Sequence, residues 1–174
     1  MKRILLALSL LALLAGCNTL RQHEPVPVVD MRVDLDRFMG QWYMIASVPT
    51  VLDRKAFNGV QTFQRADRGI DITYEFNAGA ADGELKTVNS RAMVDNPGIN
   101  SDWEVTYAWP IRGDYKILWL EPDYSATAIG HPNRKNVWIL SRQRTISPPV
   151  YSDIILYLQQ LGYDVGNIRR VPQG

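Results

Sequence analysis

The chain has 174 residues, 46% of them apolar, with five tryptophans, eight tyrosines and a formal net charge of +1. That is enough apolar material for one substantial core and one domain. The near-neutral balance lacks the basic footprint of a nucleic-acid binder, and that class is set aside.

Lys2 and Arg3 precede an apolar run at 4–14, "ILLALSLLALL". Eleven such residues are the length of a signal-peptide core and too few to span a bilayer. The following "LLAGC", Leu13 to Cys17, resembles the bacterial lipobox. That resemblance implies removal of residues 1–16 as a lipoprotein signal peptide and acylation of Cys17 as the lipid anchor. Cys17 is the only cysteine, so it has no disulfide partner within the chain. Several acyl chains on one residue anchor stably where a single chain does not. Asn18 follows, where an aspartate commonly retains such lipoproteins in the inner membrane, so the resemblance implies an outer-membrane address. Residues 17–33, with Pro25, Pro27 and little periodicity, read as the lipidated N-terminus and tether, and 34–174 as the folded domain.

From Gly40 onward the sequence predicts strands at 41–48, 58–65, 70–76, 84–94, 102–109, 114–120, 124–130 and 136–142. The clearest is "IDITYEF", where Ile70, Ile72, Tyr74 and Phe76 alternate with Asp71, Thr73 and Glu75. Turn-forming residues such as "ADRG", "AADG", "DNPG" and "HPNR" separate the runs, and connections this short make neighbouring strands antiparallel. A single helix is expected near the end, capped by Ser147, opened by Pro148 and Pro149 and closed at Gly162. Val150, Ile154, Leu158 and Leu161 give it an apolar stripe that Ile155 and Tyr157 widen. The expected fold is therefore all-β: an eight-stranded antiparallel up-and-down barrel with one C-terminal α-helix packed outside. Eight strands leave an interior that is filled by side chains or holds one small ligand.

Three pieces of sequence then fall in register. Gly40-Gln41-Trp42 enters the first strand, Asp123-Tyr124 lies in the turn between the sixth and seventh, and Arg142 ends the eighth in "VWILSR". Together they resemble the lipocalin signatures, over about residues 30–172, and with the lipobox they are similar to the bacterial outer-membrane lipoprotein members of that family. The resemblance implies that Trp42 plugs the closed end and that Arg142 packs across its indole, a contact suited to a planar guanidinium. It departs from the family at Met44 and Asn89, where acidic residues are common, which would make the interior less acidic. No cysteine pair fastens the tail.

Alternation nominates inward residues: Trp103, Val105, Tyr107 and Trp109 in the fifth strand, Tyr115, Ile117 and Trp119 in the sixth, Trp138 in the eighth, Met44 and Ala46 after Trp42, and Ile72 and Tyr74 in the third. The expected ligand contacts are Met44, Tyr74, Trp103, Tyr107, Tyr115, Ile117 and Trp138. An aromatic, apolar lining suits a fatty acid or a lysophospholipid. Connectors at the open end carry Arg54, Lys55, Arg112, Arg134 and Lys135 with Asp53, Asp82, Glu84 and Asp114, and the closed end carries Asp67, Asp95, Asp102, Glu121 and Asp123 against Arg68. The mouth cations are expected either to meet an anionic headgroup or to form a solvated rim.

No nucleophile elbow, zinc spacing or glycine-rich phosphate loop is present, and no cofactor or metal is expected. His23 falls in the tether and His131 in a Gly-His-Pro turn. The function expected is a carrier or store, not an enzyme, with the membrane as partner through the anchor and a homodimer left open. The competing reading is a structural envelope lipoprotein with a filled barrel.

Overall fold

The computed structural model describes residues 26, 27, 29 and 32–174. Cys17 and the signal segment lie outside them. The described chain runs through α1 (Leu35–Phe38), β1 (Gly40–Ser47), β2 (Ala56–Arg65), β3 (Ile70–Ala78), β4 (Glu84–Val94), β5 (Asp102–Ala108), β6 (Ile111–Leu120), β7 (Ala126–Gly130), β8 (Val137–Ser141), α2 (Pro148–Gln160), a 3₁₀ turn (Val165–Asn167) and β9 (Arg169–Arg170). Each of β1 to β7 pairs antiparallel with its successor, and β8 returns to pair with β1, so the sheet closes into a barrel. The eight strands and the outer helix are those the sequence predicts, with strand ends shifted by at most three residues and β4 unshifted.

Two apolar clusters divide the work. One fills the barrel and includes Phe38, Trp42, Phe63, Ile72, Trp103, Val105 and Ile117. The other lies between the barrel wall and α2 and includes Ile45, Ala46, Leu118, Ile139, Ile154 and Leu158. Ser147 takes the N-cap position of α2 but its side chain makes no cap bond. Pro149 removes one of the two N–H groups that such a side chain would bind, so the prolines replace the expected cap rather than accompany it. At the other end Gly162 adopts φ +82°, and its N–H donates to Gln159 O. The side chain of Arg134 caps the same end through Nε to Leu161 O at 2.7 Å.

Bulges break the simple alternation. In β1 the register to β8 shifts between Met44 and Ala46, and in β6 the register to β7 shifts between Ile117 and Trp119. A bulge sets two residues opposite one and re-aims the side chains beyond it. Met44 and Ile117 thus face the interior, while Ala46 and Trp119, both expected inward, face α2. The Trp119 ring meets Tyr157 of the helix at 5.5 Å.

Val26, Val29 and Val33, expected in the tether, pack against the two clusters. Val33 N donates to Ile99 O and Val29 N to Ile117 O. The barrel also has a seam. β1 and β2 pair only from Gly40↔Phe63 to Tyr43↔Val60, and beyond that point the tail takes up their polar groups. Val171 N donates to Ile45 O, Asn58 N to Pro172 O, and Gln173 Nε2 to both Met44 O and Gly59 O. Removing residues 171–174 leaves those groups without partners, so amide exchange around 58–60 should accelerate at least tenfold while β4–β5 amides stay protected. Unchanged exchange at 58–60 would show that the seam closes by itself.

Candidate functional site

The barrel has a blocked end and an accessible end. At the blocked end Asp34 caps α1, its Oδ1 accepting from Asp36 N at 2.9 Å and Arg37 N at 3.2 Å. Phe38, at the end of α1, packs against Trp42 at 5.1 Å, Phe63 at 5.3 Å and Trp103 at 5.4 Å between ring centroids. Trp42 Nε1 donates to Phe38 O. The Arg142 guanidinium lies 3.8 Å over the Trp42 ring and donates to the carbonyls of Arg37, Phe38, Met39 and Gln41. It therefore seals the indole and terminates α1 in one stroke. Tyr124, at φ +64°, receives Asp34 N on its hydroxyl and Arg37 over its ring, and Asp123 Oδ1 accepts from Ser125 N. Gly40 sits at φ +94°, a conformation that glycine adopts without strain, and a Cβ added there would lie 3.4 Å from Arg142 Nη1. Gly40, Trp42, Asp123, Tyr124 and Arg142 thus form one assembly at the closed end.

Above this plug the side chains leave a cavity of about 120 Å³, with Met44, Tyr74, Tyr107, Tyr115 and Trp138 in its lining. These five come from β1, β3, β5, β6 and β8, so five strands converge on one space. Tyr115 lies 4.8 Å from Trp138 and 6.4 Å from Tyr107 between centroids. The other two nominated residues lie deeper: Trp103 belongs to the plug, with Nε1 donating to Asn100 O, and Ile117 is wholly buried in the barrel core. Phe76, Val88 and Ser90 complete the wall.

The roof was not legible in the sequence. Thr50, Leu52 and Asp53, in the connector at 48–55, also line the cavity. Asp53 Oδ1 accepts from Thr50 N and Thr50 Oγ1, both at 2.6 Å, which folds the connector over the opening. Gln61 was also missed, although alternation with Phe63 would have aimed it inward. It is buried, and its Nε2 approaches Tyr115 Oη only at 3.5 Å. Gln61 Oε1 and Tyr74 Oη have no hydrogen-bond partner among the described residues. Burial, aided by the Asp53 carboxylate, raises the Tyr74 phenol well above its ordinary value, and burial raises Tyr115 and Tyr107 as well. All three hydroxyls are protonated at neutral pH and can donate.

Three expectations need correction. Trp109 is 84% exposed: β5 ends at Ala108, so Trp109 sits in the hairpin turn outside the barrel. Asn89 is exposed on the outer face of β4, where Thr73 Oγ1 lies 3.1 Å from its Oδ1, so only Met44 bears on the acidity of the interior. Among the mouth cations, Arg112 pairs with Glu104 on the outer wall and Arg134 caps α2, so neither points at the opening. His131 Nδ1 accepts from Asn133 N within its own turn.

A family model described as lipocalin-like domain matches residues 33–173, and one described as prokaryotic membrane lipoprotein lipid attachment site matches 1–18. Temperature-induced lipocalin-1 of Arabidopsis thaliana is 30% identical over 161 residues, which cover 81% of this chain and 80% of that protein. Outer membrane lipoprotein Blc is 28% identical in Vibrio cholerae, covering 92% of this chain and 93% of the relative. Its Escherichia coli K12 counterpart is 26% identical, covering 92% and 90%. Among solved structures, lobster apocrustacyanin A1 superposes with TM-score 0.64 at 17% identity, covering 81% and 80%, and the cockroach allergen Per a 4 with 0.65 at 12%, covering 86% and 94%. The attachment site and the outer-membrane lipoproteins among the relatives make this a lipid-anchored protein of the outer membrane. With the closed barrel, the plug and a family match across 33–173, the chain belongs to the lipocalin-like family.

Proposed function

We propose that the cavity carries the acyl chain of a single-chain amphiphile, a lysophospholipid in preference to a free fatty acid, as a store or shuttle at the outer membrane. The observation that carries this reading is the apolar cavity itself, walled by Met44, Phe76, Val88 and Trp138 and roofed by a short connector. At about 120 Å³ it is smaller than the ~300–1,000 Å³ of pockets that enclose a whole ligand. A chain end fits inside, and the rest passes the roof, leaving a headgroup outside. Each methylene buried contributes about 0.8 kcal/mol, so even a partly inserted chain binds usefully before ordering costs.

Asp53 supplies the preference. Its carboxylate sits in the roof that the chain passes, where a fatty-acid carboxylate drawn toward the mouth would meet like charge. The ester and zwitterionic headgroup of a lysophospholipid carry no net charge and escape that repulsion.

Native mass spectrometry of the delipidated chain, before and after adding palmitate or lysophosphatidylcholine, is the test. A saturable one-to-one lysophospholipid adduct is expected, lost on Ser90→Trp, which fills the cavity. Asp53→Asn keeps the hydrogen-bonding shape and removes the charge, so palmitate affinity should rise about tenfold with lysophospholipid affinity unchanged. A barrel that takes up neither lipid would overturn the carrier reading and favour the filled structural barrel.

A further inference from the structure

Eight large apolar side chains are exposed among the described residues, and four of them crowd the open end. Val51 at 84% and Leu52 at 74% exposure lie in the β1–β2 connector, and Trp109 at 84% and Ile111 at 63% form the β5–β6 hairpin end. The other four are scattered: Leu85 and Met93 lie on β4, Ile99 in a closed-end connector and Leu156 on α2. The two apolar tips belong to different hairpins on the rim, so they stand around the mouth rather than form one patch on a wall.

Charge follows the same axis. The open-end connectors carry Arg54, Lys55, Arg134 and Lys135 against Asp53 and Asp82, and Asp53 is buried. The closed-end connectors carry Asp67, Asp95, Glu121 and Asp123 against Arg68, Arg142 and Arg144, close to balance. Arg54 and Lys55 are exposed and lie with Val51 and Leu52 around one shallow depression beside the mouth. Aromatic and aliphatic side chains flanked by cations are what an anionic lipid interface accepts.

We propose that the rim of the barrel docks onto the membrane that holds the anchor, with Trp109, Ile111, Val51 and Leu52 entering the interface and Arg54 and Lys55 meeting lipid phosphates. The anchor permits it. From Cys17 to Val26, the first described residue, nine steps reach at most about 30 Å, comparable with the length of one barrel strand. The closed end, where carboxylates and guanidinium groups nearly balance, offers that surface no comparable attraction. The docking is independent of what the cavity carries.

The test uses the lipidated full chain in vesicles of phosphatidylethanolamine and phosphatidylglycerol, with and without bromine on the acyl chains. Trp109 emission is isolated as the difference between wild type and Trp109→Phe. Docking predicts that this component is blue-shifted and quenched by bromine. Reversing Arg54 and Lys55 to glutamate should cut the docked fraction by about fivefold or more per position. A Trp109 component that keeps its water-exposed wavelength and ignores bromine overturns the proposal. Quenching confined to the remaining tryptophans does so too, while reporting lipid in the cavity. Lysophospholipid adducts measured on Trp109→Phe separate failure of docking from failure of carriage.

Discussion

Arg142→Ala should lower the unfolding free energy by about 3–4 kcal/mol, the largest loss expected from any single polar side chain in the molecule. The truncation removes donors from four backbone carbonyls, of Arg37, Phe38, Met39 and Gln41, and uncovers the face of Trp42. A hydrogen bond to a charged group is worth about 1.5–3 kcal/mol, and carbonyls newly exposed to water recover part of that. Burial lowers the arginine pKa from its ordinary value, yet the group remains a cation at any working pH. Arg142→Lys should recover less than half of the loss, because one ammonium cannot span several carbonyls and stack flat on an indole. Urea denaturation reads both variants, with the slope unchanged if the barrel still unfolds as a unit. Equal stability of wild type and Arg142→Lys would mean that charge alone, and not the planar fork, holds the closed end.

The second large effect is expected at Gly130, where β7 runs beneath the segment that follows α2. A Cβ there would lie 2.4 Å from Tyr163 Oη and 2.6 Å from Leu118 Cδ1. Tyr163 cannot swing away cheaply, since it is 4% exposed and donates to His131 O at 2.9 Å. Gly130→Ala should therefore cost about 2–3 kcal/mol, in the upper range for overpacking. Shortening the obstacle is the control: Tyr163→Leu alone should destabilise, but in combination with Gly130→Ala the two losses should fall short of their sum by at least about 1 kcal/mol. Strict additivity would show that the clash is relieved elsewhere.

The closed end was the most legible part of the molecule. A glycine, an indole and a guanidinium have to meet in one geometry, and each leaves an unmistakable residue in the sequence at Gly40, Trp42 and Arg142. Strand number and the helix were legible for a related reason: period-two alternation and turn chemistry are local properties. The wall of the site was legible only as far as the alternation persisted. Met44, Tyr74, Tyr115 and Trp138 lie before or away from the bulges of their own strands, and Tyr107 sits in the one between Thr106 and Ala108 yet still lines the cavity. Ala46 and Trp119 lie beyond them, and one extra residue sent both to the helix side. The roof left no signal because Thr50, Leu52 and Asp53 are placed by a side-chain-to-backbone bond inside a connector, not by a repeating pattern. Trp109 misled because a tryptophan after an alternating run looks like its continuation, whereas the strand stops one residue earlier.

The seam between β1 and β2 sets a timetable. Gln173 lies 129 residues beyond Met44, and β1 finds its other neighbour only in β8. A chain that crosses a membrane N-terminus first therefore emerges with its first strand unable to complete its pairing until nearly everything else has followed. Such long-range closure is slow to nucleate, and a half-delivered barrel has little to hold it shut. The same geometry that seals the finished protein keeps it loose while it is still in transit, when an early fold would jam the passage.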